Sequence, residues 1–233
     1  MFILKVRVLL LLLPSLFALA EGPEVSPETI VQNYCAAERQ EAVVLRHASM
    51  EVDIQASLPK LKKQGRFQAL RRISPLGLIS YERRRFEGDK TVRNQVILRY
   101  LDVEDQAERD DAPSLAVTPE NYKFKFKHKA VIEGRPVYVF VVSARRKQQG
   151  AFDGELWIDA ATYLKVRESG HLVHPGSFFV RRTAFVRTYE IRDGVAVPRE
   201  MQSTADIRLV GKAELNIAFS NFSLEDSGEG AGQ

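Results

Sequence analysis

Residues Tyr122 to Lys129 read Tyr-Lys-Phe-Lys-Phe-Lys-His-Lys. Phe124, Phe126 and His128 fall on one side of an extended chain, and Lys123, Lys125, Lys127 and Lys129 on the other. A period of two is the mark of a strand with one dry face and one wet face, so the middle of the chain is committed to a sheet. Glu133-Gly134-Arg135-Pro136 then breaks the chain, and Val137 to Val142 follows, apolar on both sides. A run of that kind is an interior strand covered on both faces. Gly154 to Asp159, the short loop Ala160-Ala161-Thr162 and Tyr163 to Glu168 complete a four-strand antiparallel meander. Asp159 is placed to start a type I turn, its carboxylate accepting backbone N–H groups further on.

The flanks extend the sheet. Met50, Val52, Ile54, Ala56 and Leu58 alternate with Glu51, Asp53, Gln55 and Ser57, and after the return Pro59 to Gly65 a second strand carries Phe67, Ala69 and Ile73. Leu78 to Phe86 and Thr91 to Leu101 read as a third and fourth strand joined by Glu87-Gly88-Asp89, with glycine available for a positive φ. Phe178 to Ile191, Val195 to Leu209 and Ala213 to Leu224 follow, with turns at Asp193-Gly194 and Gly211-Lys212. The count is ten or eleven antiparallel strands. No repeat or linker divides them, so residues 21–226 form one mainly-β (α+β) domain, with a Gly-rich polar tail at 227–233 expected to be disordered.

One long helix precedes the strands, from Pro27 to about His47. Ser26 is a natural N-cap and Pro27 suits the first helical position. Ile30, Val31, Tyr34, Cys35, Ala37, Ala42, Val44 and Leu45 form its apolar stripe. Glu38 and Glu41 fall inside that stripe, where the helix meets arginines or water. Cys35, the single cysteine, reads as a small packing residue, and no intrachain disulfide is possible.

Residues 1–20 have the plan of a secretory signal: Lys5 and Arg7, an apolar core, and Ala18-Leu19-Ala20 as the cleavage site, giving a mature start at Glu21. The apolar run is shorter than the ~20 residues of a membrane span. The expectation is an exported, periplasmic protein with no transmembrane segment after cleavage. Loss of Lys5 and Arg7 leaves 32 basic against 30 acidic residues, a balance that speaks against nucleic acid as a partner. Residues 102–120 are acidic and lack alternation. They are either a solvated connector or a lid over what the sheet encloses, being longer than the usual connection of a compact domain.

The chemistry of catalysis is missing from the pattern. There is no Gly-x-Ser-x-Gly elbow, phosphate-cradling loop or CxxC. His171 and His174 point to opposite faces of a strand, so no metal site, cofactor or enzyme is expected. The pairs Arg71-Arg72, Arg83-Arg84-Arg85, Arg145-Arg146 and Arg181-Arg182, with Lys60, Lys62, Lys63 and Arg66, are either the solvated face of a twisted sheet or a basic rim facing anionic lipid headgroups. Trp157 shares parity with Glu155 and Asp159, which makes it an outer-face residue shielded by the stems of Lys165 and Arg167.

An exported chain with one N-terminal amphipathic helix, a long antiparallel meander, Pro119-Glu-Asn-Tyr-Lys-Phe124 and Gly154-Glu-Leu-Trp-Ile-Asp159 near its centre, and Asp193-Gly194 before Val197-Pro198 resembles the LolA-like group, the outer-membrane lipoprotein-sorting proteins and their relatives. The resemblance covers roughly Pro27 to Leu224. It implies a half-open antiparallel β-barrel with the helix over its concave face, and a concavity that receives acyl chains. The acidic 102–120 insert and the arginine-rich strands depart from the classical carriers, and no functional arginine is carried over. The residues point the same way: one helix cannot cover the apolar face of about ten strands, and the hollow that remains is a binding site. The expected function is a periplasmic, non-catalytic binding protein for lipids or acylated (lipo)proteins. The alternative is an envelope sensory or structural module that takes protein partners on its sheet edge or rim. The expected ligand-binding face comprises Met50, Val52, Ile54, Phe67, Phe124, Phe126, Leu156, Ile158, Met201, Ile207, Leu215, Ile217 and Phe219.

Overall fold

A computed structural model describes residues 25–109, 115–174, 180–208 and 211–224. The segment 1–20 expected to be a signal, the expected start at Glu21 and the tail 227–233 lie outside them. The helix α1 runs from Pro27 to Val44, and the Ser26 hydroxyl accepts the Thr29 backbone N–H at 3.2 Å, as expected of its cap. Ten strands follow: β1 (Ala48–Leu58), β2 (Lys63–Ile73), β3 (Ile79–Gly88), β4 (Tyr122–Ile132), β5 (Arg135–Ala144), β6 (Phe152–Asp159), β7 (Lys165–Leu172), β8 (Val180–Arg192), β9 (Val195–Ile207) and β10 (Gly211–Leu224). They form one antiparallel sheet in the order β3-β2-β1-β10-β9-β8-β7-β6-β5-β4. Every neighbour in space is a neighbour in sequence, except that β1 pairs with β10. The sheet is left open between β3 and β4, which gives the half-open barrel.

Thr91 to Leu101 is not a strand. Residues 90–109 are helical: α2 (Lys90–Val92), a π turn (Arg93–Ile97) and α3 (Leu98–Arg109). Two local causes override the reading. The Asp89 carboxylate caps the segment, accepting the backbone N–H groups of Thr91 at 2.7 Å and Val92 at 3.3 Å. The apolar residues Val92, Val96, Ile97, Tyr100 and Leu101 recur at helical, not alternating, spacing, and all of them meet the core. The acidic 102–120 segment accordingly begins as the second half of a helix.

Gly154 and Gly170 face each other across β6 and β7. A Cβ on Gly154 would lie 1.9 Å from the Ser169 carbonyl oxygen, and one on Gly170 would lie 2.2 Å from that of Asp153. Backbones this close tolerate no side chain at either position. A second, smaller core sits on the outer face, where Val137, Val139 and Val166 pack with Trp157 and Ile191. That is why Val137 to Val142 is apolar on both sides. The Arg167 guanidinium lies 5.1 Å from the Trp157 ring centroid, the outer-face shielding expected of it, whereas Lys165 turns inward. Asp159 closes the β6–β7 turn as expected, accepting the N–H groups of Ala161 and Thr162 at 3.0 and 2.7 Å.

Candidate functional site

One cross-strand row traverses the concave face in continuous register. It runs Phe86, Phe67, Ile54, Ile217, Met201, Arg187, Glu168, Leu156, Phe140 and Phe126, one residue from each strand. Eight of these positions are apolar, and the row is interrupted only at its centre by Glu168 and Arg187. Six of the residues expected on the ligand face, Ile54, Phe67, Phe126, Leu156, Met201 and Ile217, stand on this row. Val52, Ile158, Leu215, Phe124, Ile207 and Phe219 pack into the same core, and Met50 is buried but does not belong to that cluster. His128 does not join. A bulge at Lys127 shifts the register so that Phe126 opposes Phe140 but His128 opposes Val139, on the outer face.

The face is covered by two helices rather than one. The first, α1, buries Ile30, Val31, Tyr34 and Cys35, with the Tyr34 ring 6.4 Å from Phe124 on β4. Burial raises the Cys35 thiol above its usual value, as fits a packing residue. The 90–109 helix covers the β1–β3 half. Val92 and Ile97 are fully buried there, and Gly65 gives it room, since a Cβ at that position would lie 3.1 Å from a Val92 methyl. The second helix therefore fills the hollow that a single helix would have left open.

A polar seam runs between the two covers. On the α1 side, Lys165 reaches Glu38 at 2.9 Å and Glu41 at 3.7 Å. Burial works against the Lys165 ammonium, but Glu38 and Glu41 hold it well above its ordinary value. Glu41 is 4% exposed, and neither of its oxygens takes a hydrogen bond. Its carboxyl is pushed from about 4.5 up to about 8, by burial first, with Lys165 opposing and Glu38 adding to the rise. In the middle, the Tyr189 hydroxyl donates to Glu168 at 2.7 Å and Arg187 pairs with the same carboxylate at 3.3 Å. On the far side, Arg71 pairs with Glu104 of α3 at 3.3 Å, and the Tyr81 hydroxyl donates to the same carboxylate. Tyr100 of α3 is half-buried near Arg187, and its hydroxyl is pushed up by desolvation and then by Glu104.

The sequence reading missed this seam. Two signals announced it: Glu38 and Glu41 inside an apolar stripe, and Arg187 in phase with Phe185 and Tyr189 on a strand. The arrangement encloses apolar surface under two covers, of which the 90–109 helix is anchored to the sheet by polar contacts as well as by packing. The groups of the seam are tied to one another. His171 and His174 are exposed, and no group of metal-ligating side chains occurs among the described residues. No helix of the described residues is long and apolar enough to cross a membrane.

No protein-family model matches the chain, and no curated protein matches its sequence. Among solved structures it is similar to a LolA superfamily protein from Nitrosomonas europaea, 9% identical, covering 87% of this chain and 95% of that one with a TM-score of 0.41. It is also similar to a putative outer membrane lipoprotein-sorting protein domain from Vibrio parahaemolyticus, 9% identical over 85% of this chain and 93% of that one, with a TM-score of 0.45. A DUF1329 family protein from Desulfovibrio piger is 12% identical over 86% and 95% of the two chains, again with a TM-score of 0.45. Likeness at this level is one of chain course and says nothing of what this chain binds.

Proposed function

We propose that this chain is a non-catalytic binding protein of the bacterial periplasm whose concave face takes the acyl chains of lipids or acylated proteins. The observation that carries the reading is the ten-strand row. This largely apolar surface, broken only by the Glu168–Arg187 pair, lies beneath a helix that reaches its place through a π turn, a feature frequent at functional sites. In this reading the 90–109 helix, not the whole 102–120 segment, is the cover that moves. It occupies the hollow when the protein is empty and yields to a ligand. An acyl chain gains about 0.8 kcal/mol per methylene buried, so about ten methylenes give roughly 8 kcal/mol. Against association costs of at least about 4 kcal/mol, and the further cost of displacing the helix, a single chain binds weakly and a multiply acylated ligand more tightly. That suits a carrier which must also release.

The alternative, partner binding on an open sheet edge, is opposed by the edges themselves. The bulge at Lys127 interrupts β4, whose outer side carries Lys123 and Lys125. On β3 the register slips beside Arg83, which has a φ of 50°. Bulges and cations on edge strands discourage the addition of a further strand.

The test is titration of a fluorescent fatty acid into the mature protein. Glu104→Gln with Tyr81→Phe loosens the anchor of α3 and is expected to speed ligand uptake several-fold. Phe67→Asp, checked for folding by circular dichroism, is expected to abolish binding. A parent protein that binds no acylated ligand would sink the reading in favour of a protein-binding module.

A further inference from the structure

The strand ladder fixes which turns share an end of the half-barrel. Leu58 pairs with Lys63, Ile207 with Gly211 and with Val180, Phe152 with Leu172, and Ala144 with Tyr122. The β1–β2 and β9–β10 turns, the start of β8 and the β5–β6 loop therefore emerge together. Lys60 and Lys62 stand on the first, Arg181 and Arg182 at the start of β8, and Arg146 and Lys147 on the loop, all six exposed. Lys62 is held outward by a left-handed backbone, with a φ of 54°. None of the six forms an ion pair among the described residues, whereas at the opposite end charges are matched. There Arg135 meets Asp159, Arg192 meets Glu190 and Arg199 meets Glu133. Between Lys60 and Lys62 the side chain of Leu61 is 43% exposed at the tip of a 3-10 turn.

We infer that this end of the half-barrel docks on an anionic lipid bilayer. Six unmatched cations on three separate turns present one plane of positive charge, and the net charge of the whole chain, only +4, does not account for that concentration. Each cation near an anionic membrane surface contributes attraction that fades within a Debye length. The flexible stems let the charged heads reach phosphates while Leu61 enters the headgroup layer. The site is separate from the concave face, so the inference stands whether or not that face takes acyl chains.

The experiment is co-sedimentation of the mature protein with vesicles of phosphatidylcholine and phosphatidylglycerol, against vesicles of phosphatidylcholine alone. Binding is expected to the first and not the second, and to be lost at about 0.5 M salt. The variant Lys60→Glu/Lys62→Glu/Arg181→Glu/Arg182→Glu is expected to bind at least about tenfold more weakly, while Arg83→Glu/Arg84→Glu, on the edge strand β3, binds as the parent does. These changes leave the concave face untouched, so fatty-acid titration of the same variants separates a failure here from a failure of the acyl-binding reading. Absence of binding to the anionic vesicles overturns the inference. Equal binding by the fourfold variant, or equal loss in the β3 variant, overturns it too.

Discussion

Glu41 is the residue at which the design of the interior bears most directly on stability. In the unfolded chain its carboxyl ionises near 4.5, and in the folded protein near 8. Below about 4.5 the group is protonated in both states and contributes its full share. As pH rises through the window between these values the unfolded chain releases a proton that the folded one keeps, so stability falls, and above about 8 the loss is complete. Glu41→Gln keeps the shape of the protonated acid without the titration. The variant is expected to gain on the parent progressively from pH 5 to pH 8 in thermal unfolding. A difference in Tm that stays constant across that range would show that Glu41 does not carry the effect. The position was visible in the sequence only as a carboxylate out of place on an apolar stripe. Its partner Lys165 lies on β7, far along the chain, so nothing local could identify it.

At the scale of elements, the two covers differ in how they are held. The helix α1 is regular throughout and buries Ile30, Val31, Tyr34 and Cys35 in its first half, whereas the 90–109 helix has a π turn near its start. Backbone amides of α3 are therefore expected to exchange with deuterium faster than those of α1. Asp89→Ala, which removes the cap and the 3.3 Å pair with Lys63, is expected to cost about 1 kcal/mol and to widen the gap. Equal protection of the two helices would remove the case for a moving cover. The strands were legible because alternation is a local signal, and the observed ten are those read from it once residues 91–101 are taken out. The helix at 90–109 was not, because its apolar residues lie among Arg93, Asn94, Gln95 and Arg99 in a stretch that a strand reading could also accommodate. The Asp89 cap was the overlooked clue. Parity along each strand assigns a residue to a side, and ladder register brings six of the residues expected on the ligand face into one row. Bulges were not legible, and the one at Lys127 sent His128 to the opposite face.

For the molecule as a whole, the architecture follows from a meander whose two terminal strands, β1 and β10, meet in the interior of the sheet while β3 and β4 form its edges. That arrangement has a consequence for the order in which the structure can assemble. Each other pair of neighbours is brought together by a connection internal to a short stretch of chain, but Ile54 meets Ile217 only when both extremes of the folded region are present. Contacts so far apart in sequence are slow to form, since loop closure must precede any gain from them. A chain that is still being delivered cannot complete the ten-strand row, because β1 to β3 have no bordering strand until β10 arrives. A chain stopped after Ile207 is accordingly expected to lose the single cooperative transition of the parent in urea, measured by fluorescence of Trp157 and by far-ultraviolet circular dichroism. Retention of one sharp transition would mean that β4 to β9 with α1 fold without the seal. A polypeptide whose last strand completes its sheet cannot seal that sheet until its final segment is free to pair.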